Sequence, residues 1–229
     1  FVIFAGQQNH FAKVNINITS RDENLRIMFS NFYWQYTNTG ITYQGQNDIV
    51  ININGHCEMR SNSNTDNSDA AINIPHLAIT GQQNSQFTIR AANGLSSTGL
   101  AGSNGGNGIV VSEINININN LSVFAGDGSN GKNATQNNKT TGKGDNGGSG
   151  GDGGIALKIN DTNSYILNVT NNSNVKLYGG DGGDGGDGKD GLNGGEVYQI
   201  LLQKINENYN HGGNGGGGGF GGDSGVTCN

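Results

Sequence analysis

Along the first half of the chain, apolar and polar residues alternate one for one in short runs. Val14 to Ile18 reads apolar-Asn-apolar-Asn-apolar, and related short alternating runs with Asn or Thr return at Ile49–Ile53, Ala71–Ile74 and Phe87–Ile89. A period of two places isoleucine on one face and asparagine or threonine on the other, the signature of half-buried strands. Turn-formers separate the runs: Asn38-Thr39-Gly40, Gly45 to Asp48, and Asn93-Gly94. A helical period is suggested only at Val197–Asn206, so the chain is expected to be all-β.

From about residue 70 the pattern becomes modular. Gly108 to Val111, Ile114 to Asn119 and Val123 to Gly128 are echoed by Gly154 to Ile159, Ile166 to Val169 and Val175 to Gly182, and an earlier copy begins at Ala70. Each module is strands followed by glycine. One module cannot bury its own apolar face, so the modules must stack as in a solenoid. For residues 1–98 a parallel β-helix and a β-sandwich fit the alternation equally well.

The glycine stretches have a period of their own. Glycine returns every third residue from Gly179 to Gly194, with a second row through Gly180, Gly183 and Gly186. The same spacing occurs at Gly99–Gly108, Gly144–Gly153 and Gly212–Gly221. Three residues per turn is the pitch of a polyproline II-type helix, which has no internal hydrogen bonds. Glycine in every third place clears one side of such a helix, so neighbouring backbones can approach and satisfy one another's N–H and C=O groups. The expected fold class is therefore all-β with polyglycine II helices: short-strand β-solenoid or sandwich modules alternating with a bundle of glycine-rich rods. Residues 1–98 form the β-strand region and residues 99–229 the repeated β/polyglycine II modules. A collagen triple helix needs abundant proline, and the chain has 1.

Glycine motifs of this shape, separated by asparagine-rich connections over about residues 99–225, resemble the glycine-rich tail-fibre adhesins of T-even-type phages. The resemblance implies a polyglycine II sandwich whose connecting loops recognise a bacterial surface. Its expected partners are a cell-surface receptor or glycan and a larger fibre or surface assembly, and its expected place is extracellular or on a virion. The Asp-filled third positions depart from that family's near-pure glycine.

Composition narrows the function classes. A net charge of −6 with 12 Lys+Arg among 229 residues supplies no basic stripe for phosphate neutralisation, so no nucleic-acid partner is expected. No apolar run approaches the roughly 18 residues of a membrane span, so no membrane insertion is expected. The first residue is Phe1 rather than Met, which reads as a processed product or a fragment. Cys57 and Cys228 either pair or remain two free thiols.

Several motifs are weaker than they look. Gly126 to Gly131 is formally GxGxxG, and Gly126 to Lys132 is formally GxxxxGK, but Asn133 follows the lysine and no helix opens behind the loop. Asp181, Asp184 and Asp187 match part of a calcium-binding repeat, yet Lys189 takes the place of its anchoring apolar residue, leaving a solvated acidic stripe. His10, His56, His76 and His211 have no ligand or triad spacing, and on a strand His56, Cys57 and Glu58 alternate in direction. No cofactor and no catalytic activity are expected.

Recognition then falls to the exposed connections. The candidate binding residues are Asn133, Gln136, Asn138 and Lys139 in one long loop, and Asn160, Asn171 and Asn208 elsewhere. Trp34 and Tyr36 share a strand face with Phe32; they read first as core and second as a sugar-stacking surface. The competing function is structural, as a repeat of an extracellular filament, sheath or surface layer.

Overall fold

The computed structural model describes residues 1–6, 10–19, 24–62, 69–95, 99–135, 144–160, 166–170, 173–190 and 217–218. Among these residues the chain is all-β and coils around a central core, three strands to a coil. The first coil is β1 (Val2–Ala5), β2 (Phe11–Lys13) and β3 (Ile16–Ile18). The second is β4 (Leu25–Ser30), β5 (Tyr33–Tyr36) and β6 (Ile41–Tyr43), and the third is β7 (Ile49–Asn54), β8 (His56–Ser61) and β9 (Ile72–Asn73). There follow β10 (His76–Gly81), β11 (Gln86–Arg90) and β12 (Ile109–Val111), then β13 (Glu113–Asn117), β14 (Asn120–Phe124) and β15 (Leu157–Ile159), and finally β16 (Ile166–Val169) and β17 (Asn174–Tyr178).

Every strand pairs in parallel with the strand three places on. The result is three parallel sheets: sheet A with order β1-β4-β7-β10-β13-β16, sheet B with β2-β5-β8-β11-β14-β17, and sheet C with β3-β6-β9-β12-β15. The arrangement is a β-solenoid rather than a sandwich. Alternation is the pattern it requires, because each sheet turns one face inward and leaves the other in water. Buried parallel sheets read instead as continuous apolar runs.

In-register isoleucines fill the interior. Ile27, Ile51, Ile79 and Ile116 follow one another across sheet A, each at most 2% exposed. Trp34, Met59, Ile89, Val123 and Leu177 do the same across sheet B. Phe29 and Phe87 stack on Trp34 with centroids 4.6 and 6.0 Å away. At the corner from sheet A to sheet B the backbone turns through a left-handed residue in three successive coils: Asn31 (φ 45°), Gly55 (φ 72°) and Asn84 (φ 68°). Asparagine and glycine are the residues that adopt this conformation readily. Asn31 also uses its Oδ1 to accept the His56 N–H at 3.2 Å, tying one corner to the next.

The repeated modules lie in adjacent coils. Asn120 pairs with Asn174 and Phe124 with Tyr178 in sheet B, and Ile109 pairs with both Ile72 and Leu157 in sheet C. Coil length grows along the chain: Leu25 pairs with Ile49, Leu77 with Ile114, and Ile114 with Leu167. The added residues are glycine-rich segments inserted between sheets B and C.

These segments bind one another every third residue. Ala125, Gly128, Gly131 and Ala134 donate their N–H groups to the carbonyls of Tyr178, Asp181, Asp184 and Asp187 at 2.7–2.9 Å, so the two segments run parallel. Gly126, Ser129 and Lys132 donate to Gly106, Ser103 and Leu100, an antiparallel neighbour. Gly148, Gly151 and Gly154 donate to Lys132, Ser129 and Gly126, and Gly180, Gly183 and Gly186 donate to Gly154, Gly151 and Gly148. A Cβ on Gly128, Gly151, Gly180, Gly183 or Gly186 would fall closer than 3.0 Å to a neighbouring backbone carbonyl. Within 179–190 the buried row is Gly180, Gly183 and Gly186, while Gly182, Gly185 and Gly188 are half-buried.

Candidate functional site

A cavity of about 560 Å³ opens where sheet B passes into the glycine segments. One outward-facing row of sheet B leads to it. Lys13, Gln35, Arg60, Arg90, Phe124 and Tyr178 stand in register, one from each coil. Parallel neighbours are about 4.8 Å apart, so their side chains must stack. Phe124 and Tyr178 lie face to face, centroids 4.5 Å apart and 5° from parallel. The Arg90 guanidinium covers the other side of Phe124 at 4.2 Å, and its Nε donates to Glu58 Oε1 at 3.3 Å. Arg60 leans the opposite way, its guanidinium 3.7 Å over the ring of Phe11. With the Gln35 amide oxygen turned toward it, Arg60 donates from Nη2 and Nε at 2.8 and 3.1 Å.

The far wall of the cavity is Ala91 to Leu95 with Ala125 and Asp127. Hydrogen bonds hold that wall in place. Ala91 and Gly94 donate to the carbonyls of Phe124 and Asp127 at 2.9 and 2.6 Å, and Asp127 donates its N–H to Asn93 Oδ1 at 3.1 Å. The last bond belongs to a wider set. Asp127, Asn130 and Asn133 accept from the N–H groups of Asp181, Asp184 and Asp187 at 2.8–3.0 Å, and Asn104 and Asn107 accept from Asp152 and Ile155. The third positions of the glycine period thus supply side-chain acceptors to the next segment. Asp181, Asp184 and Asp187 are themselves exposed, as a solvated stripe would be.

Of the sequence-predicted site residues, Asn133 lies in a glycine segment with both ends of its amide on Asp187: Oδ1 accepts the backbone N–H at 2.8 Å, and Nδ2 donates to Oδ2 at 3.3 Å. Asn160 is exposed just after β15, its N–H bonded to the Val111 carbonyl at 2.8 Å. Trp34 and Tyr36 share the inner face of β5, 0% and 2% exposed, which is the core reading of that face. Gln136, Asn138, Lys139, Asn171 and Asn208 lie outside the described residues, as do Val197–Asn206 and Cys228. The Arg60–Arg90–Phe124–Tyr178 row was not found from sequence.

Two buried acids are perturbed. Burial pushes the Tyr36 hydroxyl well above its ordinary value, and that hydroxyl donates to the Arg90 carbonyl at 3.0 Å. Burial likewise raises the Cys57 thiol, partly offset by backbone hydrogen bonds from Phe32 and Asn31. His56 and Glu58 flank Cys57 on the outward face of β8, so the three do not converge. Among the described residues no group of three His, Cys, Asp or Glu is placed to hold a metal ion, and no helix is long and apolar enough to cross a membrane. Comparison of the chain with protein-family models, curated proteins and solved structures gave no match.

Proposed function

We propose that the chain is an extracellular adhesion or receptor-binding module, in which a β-solenoid and a bundle of polyglycine II rods form one rigid scaffold that holds recognition surfaces for a cell-surface protein or glycan. The observation that carries this reading is the hydrogen bonding of the glycine segments. A flexible linker has no reason to donate every third N–H to a neighbour. Donation from 125–134 to one segment by one row and to a second segment by the next, and from Asp181, Asp184 and Asp187 to Asx side chains, fits three-residue helices packed among their own kind. Glycines whose missing Cβ admits a neighbouring carbonyl complete the argument. Exposed connections on a rigid frame are where binding residues concentrate.

The connection of residues 136–143, with Gln136, Asn138 and Lys139, is the first such surface, and the connections around Asn160, Asn171 and Asn208 are the second. Asn133 serves the scaffold through Asp187. Replacing residues 136–143 by a short glycine turn leaves the bonds of Lys132 and Ala134 in place, so the melting temperature should hold while binding to target cells or to an arrayed glycan is lost. Undiminished binding refutes the assignment of this connection. A chain that binds no surface and instead assembles with itself as concentration rises refutes the adhesion reading in favour of a structural repeat.

A further inference from the structure

We infer that the cleft at the end of sheet B binds an acidic oligosaccharide, a sugar chain whose rings carry carboxylates; this rests on the recognition reading above and names a ligand class for a surface separate from those connections. Arg60 and Arg90 are direct neighbours across β8 and β11, yet they lean apart, one over Phe11 toward the first coil and the other over Phe124 toward the next. Both arginines nevertheless line the cleft. Each guanidinium has five N–H donors in a planar fork suited to a carboxylate. Arg60 commits two of its five to Gln35 and has no carboxylate partner among the described residues, and Arg90 commits Nε to Glu58. Stacking on aromatic rings holds both groups in place without consuming their edges.

The rest of the cleft suits a sugar. Ala91, Ala92 and Leu95 on the far wall, together with Phe124, give it apolar surface. Tyr178, 43% exposed at the end of the stack, offers ring surface for the apolar side of a pyranose. Two carboxylates limit the positive field. Glu58 is engaged by Arg90, and Asp127, at the far margin, accepts the Asp181 N–H through Oδ1. The site is therefore a local clamp for a carboxylate on a sugar ring and not a basic stripe for a polyphosphate.

The test is titration of the intact chain with trigalacturonate, a mannuronate trimer and sialyllactose, each against a neutral oligosaccharide of matched size, at about 0.05 and 0.5 M salt. At least one acidic sugar should bind, at least tenfold tighter than its neutral counterpart and more weakly at high salt. Arg60→Gln should lower that affinity about tenfold or more, the scale of a charged hydrogen bond, with an unchanged melting temperature. Tyr178→Ala should weaken it independently. Equal affinity for neutral and acidic sugars, no binding of any of the three acids, or full affinity in Arg60→Gln overturns the inference. A chain that binds target cells through residues 136–143 but none of the three acids overturns the inference and leaves the adhesion reading standing; failure of the chain to bind any surface strikes that reading instead.

Discussion

Alanine at Gly183 places one methyl group where the structure has a backbone. The new Cβ would meet the carbonyl of Ser129 and approach the Asn130 nitrogen at 2.9 Å, and neither is the movable end of a side chain. Relief requires segment 179–190 to withdraw from segment 125–135 by on the order of 1 Å, the usual response to an overpacked site. That withdrawal stretches the flanking bonds from Gly128 to Asp181 (2.7 Å) and from Gly131 to Asp184 (2.8 Å). Overpacking, the backbone shift that weakens these bonds included, costs about 1–3 kcal/mol, so Gly183→Ala should destabilise by about that much. An exposed linker glycine would respond with the opposite sign, gaining about 0.4–1 kcal/mol through loss of unfolded-chain entropy. For a chain of this size the melting temperature should fall by roughly 2–12 °C. Asp184→Ala is the matched control, since its carboxylate is exposed and its N–H bond to Asn130 survives. Thermal and urea melts of both variants against the parent make the comparison. A melting temperature unchanged or raised in Gly183→Ala would refute the packing argument.

Three further outcomes follow from the same geometry. Asn130→Ala removes the acceptor of the Asp184 N–H and should cost about 0.5–1.5 kcal/mol in urea melts, while Asn130→Asp, which keeps an oxygen there, should cost less. Ile79→Ala empties a fully buried rung of sheet A and should cost about 2–5 kcal/mol by the same measurement. Tyr36 and Cys57 are both raised by burial above their ordinary values of 10.0 and 9.0, so the folded state keeps them protonated where the unfolded chain ionises. Their contribution is fully present below about pH 9 and is lost as pH rises further, so the melting temperature should decline on the alkaline side. In an ultraviolet titration Tyr36 should ionise only as the protein unfolds.

The strands were legible because a solenoid leaves one face of every sheet wet, which preserves the alternation at Ile49–Ile53 and Phe87–Ile89. Solenoid and sandwich were not separable in residues 1–98, because both demand a period of two; the parallel pairing of every third strand decides it. The module repeat did foretell contacts, since Phe124 and Tyr178 hold equivalent places in two copies and pair in register. The arginine–aromatic row escaped notice for a geometric reason. Its members come one from each of six coils of unequal length, with Lys13 paired to Gln35 across a short coil and Phe124 to Tyr178 across the longest, so no fixed spacing betrays it. The third-position Asp181, Asp184 and Asp187 were visible as a period and assigned to solvent, where the structure leaves them exposed. What a single sequence could not supply is that Asn130 and Asp184, 54 residues apart, stand opposite each other.

The central claim, that the glycine segments are packed into the scaffold, is tested most directly by residue-resolved amide hydrogen exchange across 125–134 and 179–190. The amides of Gly128, Gly131, Gly180, Gly183 and Gly186 each donate to a backbone carbonyl of a neighbouring segment and should exchange far more slowly than an unfolded chain, with a period of three. Exchange at the unfolded-chain rate throughout both segments would contradict the claim.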